Sequence, residues 1–205
     1  YQLVQTPRSF VVTFPKAFHA GFSYGFNCGE AVNFATPDWL PEGTEADQRY
    51  RTFRRSSVFS HQRLLLTLLY HNVQDSSKQR TGQFTDKAAY TSLLKEIKKV
   101  LDEELSQRPW LISQGVRDIS HLIKLPSNNF LCIDESSSNY DDLRSCCACK
   151  HICLLTAIAC ECDRNKVACV RHFMSTCKCS KEKRYMLQWM STADMSSMSK
   201  KVDRL

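Results

Sequence analysis

The spacing of hydrophobic positions changes along this chain, and the changes divide it. Near the start, Phe10, Val12 and Phe14 alternate with other residues in "SFVVTF", the period-two pattern of a strand with one face on a core. Pro15 ends that pattern. Gly21, Gly25 and Gly29 then set an irregular path, and "EAVNF", with Val32 and Phe34 on one face, predicts a second short strand. Two prolines and a glycine in "TPDWLPEG", Thr36 to Gly43, predict a break, and the first region is expected to end there. Beyond it the spacing turns helical up to about residue 145. Ser60 is placed to cap a helix carrying Leu64, Leu65, Leu68 and Leu69. "DSSKQRTGQFTD" reads as a polar loop, and its last residue, Asp86, can cap a longer helix. In that helix Tyr90, Leu93, Leu94, Ile97, Leu101 and Leu105 form one stripe. Lys95, Lys98, Lys99, Glu103 and Glu104 are expected on a solvated face, and Arg108-Pro109 is expected to stop the helix. "DESSSNYDD", Asp134 to Asp142, reads as an acidic, serine-rich linker. After Trp189 no apolar stripe stands out, so the polar end is expected to be disordered or to run on into further sequence.

Length and charge narrow the classes. A chain of 205 residues can bury one real core or two small ones. No run of apolar residues is long enough to predict a membrane span, and no charged start leads into an apolar stretch as in a secretory signal. The chain reads as a piece of something longer. Its formal net charge is +7, spread along the sequence. That charge suits either a solvated basic surface or attraction to chromatin or another polyanion. Seven thiolates holding two Zn²⁺ would bring it to about +4, too little to argue nucleic-acid binding on charge alone.

The cysteines change the picture more. Of 11, only Cys28 and Cys132 precede residue 146, and the other nine crowd between Cys146 and Cys179. Cys146 and Cys149 form a C-x-x-C, and Cys169 and His172 a C-x-x-H. Cys160 with Cys162, and Cys177 with Cys179, form two C-x-C pairs. Each short pair can aim two donors at one ion, so the four pairs predict two closed tetrahedral Zn²⁺ sites of structural type. Alternation along the chain suggests cross-bracing. Cys146, Cys149, Cys169 and His172 would make the first site, and Cys160, Cys162, Cys177 and Cys179 the second. Cys147 and Cys153 are left over, and Cys153 opens an apolar run as a buried thiol. His151 is an alternative nitrogen donor without a partner at metal spacing. Disulfides or free thiols are the competing reading of the cluster. A two-zinc module of this size is expected to have almost no apolar core, so that metal supplies much of its folding free energy.

These residues carry a resemblance. The cysteine spacing resembles the C5HC2 zinc finger that follows the JmjC domain in histone lysine demethylases, where the Cys153 equivalent is a spectator. "FPKAFHAGFSYGFNCGEAVNFATPDWLPEG" looks like the C-terminal strands of a JmjC domain, and "YRTFRRSSVFSHQRLL" like the helical segment that joins the two in the JARID-type, lysine-4 branch. The resemblance implies an α+β fold: the C-terminal strands of a double-stranded β-helix, then a helical domain and a small two-zinc finger. It implies residues 1–43 as JmjC sequence, 44–133 as the helical domain, 134–145 as the linker, 146–179 as the finger and 180–205 as a short extension with a polar tail. His19 falls on the second histidine of the family's Fe(II) triad. By chemistry alone, a histidine among aromatics is more often a structural one. Ser23 stands where much of the family has an asparagine, and can still hydrogen-bond 2-oxoglutarate or iron-bound water. Ala31 favours the lysine-4 branch. Phe18, Phe22, Tyr24 and Phe26 are candidates to line the methylammonium region or simply core, and Asn27, Glu30 and Asn33 can face substrate or pair with backbone.

The implied activity is Fe(II)- and 2-oxoglutarate-dependent removal of methyl groups from histone H3 in the nucleus, with release of formaldehyde. The implied partners are the methylated H3 tail and chromatin, with no membrane and with direct DNA binding left open. In the family a His-x-Asp/Glu pair and the 2-oxoglutarate-gripping tyrosine and lysine precede the position of His19. Residues 1–18 contain no histidine and no carboxylate, so this chain by itself is expected to be inactive. A non-catalytic, zinc-braced chromatin-interaction module is the alternative, and so is a demethylase of H3 lysine 9, 27 or 36.

Overall fold

The computed structural model describes residues 1–74, 87–120 and 144–204. Four helices and one small sheet account for the regular structure of these residues. The helices are α1 (Leu40–Thr52), α2 (His61–Gln74), α3 (Lys87–Ser113) and α4 (Thr192–Val202). The strands are β1 (Arg117–Asp118), β2 (Thr156–Cys160), β3 (Asp163–Ala168) and β4 (Arg184–Gln188), in the order β1-β4-β2-β3. β2 runs antiparallel to both neighbours, with Ile158 opposite Met186 on β4 and Ala168 on β3. β1 is parallel to β4.

The "TPDWLPEG" segment does not break the chain. A 3-10 turn over Pro37–Trp39 leads directly into α1, with Pro41 in its first turn. Proline is tolerated there because the first N–H groups of a helix have no intrahelical partner. Gly43 lies inside α1 for a packing reason: a Cβ on it would run into the rings of His61 and Trp39. Ser60 behaves as expected, its Oγ accepting from the Arg63 amide at 3.3 Å at the start of α2. The predicted polar loop, the Asp86 cap and the acidic linker lie outside the described residues.

Helix α3 continues through Pro109 to Ser113. An interior proline costs about 3 kcal/mol. Here it is flanked by the buried Arg108 and Leu111, whose packing against the sheet offsets the cost. The stripe buries as predicted, with Leu93, Ile97 and Leu101 fully enclosed. Glu104 departs from the expected solvated face: it is buried, and its Oε2 accepts from the Thr156 hydroxyl at 2.6 Å. Burial pushes the Glu104 carboxyl up, against the Thr156 hydrogen bond and the charge of Arg108.

Nor is the cysteine-rich part without an apolar core. All five residues of β2 are buried, and their side chains alternate between faces. Ile158 joins Leu111, Val116 and Met186 on one side. Ala157 and Ala159 join Tyr185, Trp189 and the first cysteines on the other. Leu154, Leu155 and Met190 enter the same core as Leu65, Leu93 and Ile97 of α2 and α3. The polar end is ordered as well. Ser191 caps α4 by accepting from the Asp194 amide at 3.0 Å, and Met195, Ser199 and Val202 form a buried face at helical spacing. The long separation of those few apolar residues among serines and lysines hid the stripe.

Arg108 ties the two parts together. Its guanidinium donates to Thr156 Oγ1, Gln188 Oε1, Thr192 Oγ1 and the carbonyls of Leu155 and Met190, at 2.9 to 3.2 Å. Every acceptor lies beyond residue 150. Arg108→Met is expected to lower stability by about 3–5 kcal/mol, because it strands buried acceptors and leaves Glu104 uncompensated. Thermal denaturation of the zinc-loaded protein measures this, and Arg108→Met combined with Glu104→Leu is expected to recover part of the loss. A single variant melting like the parent would show the network to be dispensable.

Residues 1–36 form neither of the expected strands, and their side chains are exposed, Phe10, Phe18 and Phe26 almost completely. A strand persists only through the ladder and packing of its neighbours, and the described residues offer this segment none. Lys16 makes a link to α1, its ammonium 2.6 Å from Glu42 and 2.5 Å from Glu45.

Candidate metal centres

The first cluster is built from a tight turn and a 3-10 segment. Residues 146–149 close a turn in which the Lys150 amide donates to the Cys146 carbonyl at 2.9 Å and Lys150 takes a left-handed φ of +64°. Cys169 precedes the 3-10 segment Val170–Ser175, and the His172 amide donates to the Cys169 carbonyl at 2.9 Å. These two turns aim Cys146, Cys149, Cys169 and His172 at one point, with their ligand atoms within 4.8 Å of one another. Cys149 Sγ lies 3.7 Å from Cys169 Sγ. The imidazole Nδ1 of His172 lies 3.2 Å from Cys169 Sγ and 3.8 Å from Cys146 Sγ. A tetrahedral ion with Zn–S near 2.3 Å and Zn–N near 2.0 Å needs edges of about 3.8 Å between sulfurs and about 3.5 Å from sulfur to nitrogen. The donor set fits a zinc ion.

The second cluster sits at the far end of β2 and β3. Cys160 ends β2, Cys162 lies in the hairpin turn, and Cys177 and Cys179 approach from the loop before β4; their four sulfurs lie within 4.8 Å of one another. Arg184 holds that loop. Fully buried and paired with Cys160 across the sheet, it donates to the carbonyls of Cys177, Cys179 and Ser180 at 2.8 to 3.0 Å. No motif spacing marks Arg184 in advance, since its role depends on the β2–β4 register.

The two clusters share no residue, and each takes its donors from the expected alternating pairs. Thiols packed this closely cannot all ionise on their own. Hydrogen bonds from Cys149 and Cys169 draw the Cys146 thiol far down, while hydrogen bonding to Cys146 and Cys149 pushes Cys169 far up. Hydrogen bonding to Cys160 pushes Cys162 up to about 12. A bound dication reverses that situation by neutralising the thiolates together.

The leftover residues take structural places. Cys153 is buried and its thiol is pushed well up by desolvation. Cys147 donates to the Ser175 carbonyl at 3.5 Å. His151 joins neither cluster: its Nε2 accepts from Arg51 at 2.8 Å and its Nδ1 lies 3.5 Å from Asp47, so it fastens the first turn to α1. Burial holds the His151 imidazole below its ordinary pKa.

His19 lies apart. It is exposed, with Nδ1 3.0 Å from the Ala17 carbonyl. Ser23 Oγ accepts from Asn27 Nδ2 at 3.3 Å. Phe22 and Tyr24 meet edge to face at 5.3 Å between ring centroids, and Phe18, Tyr24 and Phe26 are exposed. Among the described residues no carboxylate or second imidazole joins His19 in a group able to hold a metal. Nor is any described helix long and apolar enough to cross a membrane.

Comparison with known proteins agrees with this division. Residues 1–34 match the JmjC domain, described as a hydroxylase, and residues 146–198 match the C5HC2 zinc finger. The finger match therefore extends through β4 and into α4. Lysine-specific demethylase JMJ17 of Arabidopsis thaliana is 33% identical over the whole of this chain. Lysine-specific demethylase 5D of Pan troglodytes and of Homo sapiens is 32% identical over 97% of it. The chain spans 15% of the length of the first and 12% and 11% of the other two.

Proposed function

The chain belongs to the JmjC-domain family that carries a C5HC2 zinc finger, and from this we propose that it is part of an Fe(II)- and 2-oxoglutarate-dependent histone lysine demethylase of the nucleus, acting on methylated histone H3, most specifically at lysine 4. The observation that carries the proposal is similarity to lysine-specific demethylases of a plant and of primates along essentially the whole chain. Ala31, in the position that favours the lysine-4 branch, supports the choice of lysine.

Within the proposal the residues have separate roles. Cys146, Cys149, Cys169 and His172 hold one zinc ion, and Cys160, Cys162, Cys177 and Cys179 hold the other. Four protein ligands leave no open coordination position, so these ions brace the fold and do no chemistry. His19 is the candidate iron ligand and Ser23 the candidate contact to the 2-oxoglutarate site. The described residues supply the iron with one imidazole only, and they do not fit an iron centre by themselves. Turnover therefore needs residues outside this set, and the chain alone is expected to be inactive.

The test is a demethylation assay with the full-length parent protein on H3 peptides methylated at lysine 4, 9, 27 or 36. Formaldehyde release confined to the lysine-4 peptides is the expected result. Release from another peptide alone would reassign the lysine. No release from any peptide by zinc-replete protein supplied with Fe(II) and 2-oxoglutarate would favour the non-catalytic chromatin module.

A further inference from the structure

The basic residues of the chain are not evenly placed once it is folded. Residues 144–190 hold nine Lys and Arg against three Asp and Glu. Seven thiolates and two zinc ions lower that formal +6 to about +3. Most of the positive charge left on the metal-loaded protein therefore belongs to the finger.

Part of that charge is already engaged. Arg184 is buried under the second cluster, Arg144 lies over the Trp189 ring at 4.2 Å, and Arg171 pairs with Glu103 at 3.3 Å. Six remain, and none of them forms an ion pair among the described residues: Lys178, Lys181 and Lys183 lie in the stretch leading into β4, and Lys150, Arg164 and Lys166, all exposed, lie on the first cysteine turn and β3.

The fold brings these last three to one edge of the sheet. β3 is an edge strand, and Arg164 and Lys166, two residues apart, share one of its faces. The strand passes from the second cluster to the first. At its end the Cys147 amide donates to the Val167 carbonyl at 2.9 Å, which brings the first cysteine turn against β3. Lys150 leaves that turn at its left-handed corner. The row is anchored at both ends, by the hairpin turn of the second cluster and by the Cys147–Val167 hydrogen bond beside the first.

Two acidic residues lie nearby. The Asp163 carboxylate faces the opposite side of β3 from Arg164 and accepts from the Asn165 amide at 3.1 Å. Glu161 is engaged by Arg117. Neither neutralises the row.

We propose that Lys150, Arg164 and Lys166 form a phosphate-binding edge by which the zinc finger holds the backbone of double-stranded DNA. The occupant follows from what the edge lacks as well as from what it has. Protein partners are gripped by apolar and aromatic anchors surrounded by a polar rim. Residues 163–166 of the edge are all polar or charged and carry no such anchor. With phosphate contacts alone, the edge binds without reading sequence. The proposal does not depend on the demethylase reading.

Fluorescence anisotropy with a labelled duplex of mixed sequence and the zinc-loaded chain provides the test, at 50 to 200 mM monovalent salt. Three phosphate contacts predict a slope of log K against log salt of about −3. The variant Lys150→Asn, Arg164→Gln, Lys166→Gln is expected to bind at least about tenfold more weakly at 50 mM salt and to lose most of the slope. Its zinc content and melting temperature report that it is folded. Asparagine replaces Lys150 because it tolerates the left-handed φ. Lys95→Gln, Lys200→Gln, Lys201→Gln removes the same charge from exposed positions on α3 and α4, and is expected to bind like the parent. Absence of binding at 50 mM salt overturns the proposal and leaves these charges as protection of an open strand edge. Equal weakening of both variants overturns it in favour of net charge. Binding of an acidic polypeptide as tight as that of DNA would assign the edge to a protein partner.

Discussion

Protein purified without chelator is expected to carry two zinc ions per chain, and stripping both is expected to unfold the C-terminal part of the molecule, from β2 to α4. Apparent binding free energies of structural zinc sites are about 10–16 kcal/mol at neutral pH. The net stability of an entire domain is about 5–15 kcal/mol, so either ion is worth as much as the fold it braces. The damage should not stop at the cysteines. Leu154, Leu155, Met190 and Met195 pack into the same core as Leu93 and Ile97, and Arg108 takes its hydrogen-bond acceptors from the zinc-braced part. Chelation should therefore remove strand and α4 structure and also lower the helical melting transition, both visible by circular dichroism, with recovery when zinc is returned. The number of ions is read by elemental analysis. Zinc-free protein that keeps its melting temperature, with Cys146 to Cys179 in disulfides, would falsify the metal assignment.

Substituting His19→Ala in the full-length parent is expected to lower demethylation by more than about 100-fold and leave stability within about 0.5 kcal/mol. Losing even an outer-shell partner of a metal site typically costs 10- to 100-fold, and a direct ligand should cost more. In this chain the His19 ring is exposed and touches the Ala17 carbonyl, so a purely structural contribution is small. The zinc content should be unchanged, because the two clusters draw on residues from Cys146 onward. Formaldehyde release and melting temperature measured on the same preparation separate the readings. Normal melting with parental turnover refutes the iron-ligand role, and loss of both together makes His19 a core residue of the complete barrel.

The cysteine clusters are legible in the sequence, and so is the helix carrying Leu93, Ile97 and Leu101. In both cases the determining relation is local. A C-x-x-C or C-x-C pair sets the aim of two donors through a few backbone dihedrals, and helical spacing sets a face within a few turns. The alternating order of the pairs is enough to suggest which of them meet, and the folded chain groups the same residues. Tertiary structure decided whatever depended on a distant neighbour. The alternation of Phe10, Val12 and Phe14 suits a strand, yet a strand needs a ladder, and none of the described residues supplies one. Glu104 and Arg108 sit one helical turn apart, as a solvated pair would, and nothing local announces that Thr156 of β2 lies between them. Pro109 marks a helix end by its own chemistry, but the burial of Arg108 and Leu111 carries α3 past it. Met195, Ser199 and Val202 form a face only because Leu154, Leu155 and α3 wait to receive it. The sequence alone determined which side chains could hold metal, since that is fixed by donor type and short spacing. Only the tertiary structure decided which charges are buried and which stand free, because both are set by contacts between residues far apart in the chain.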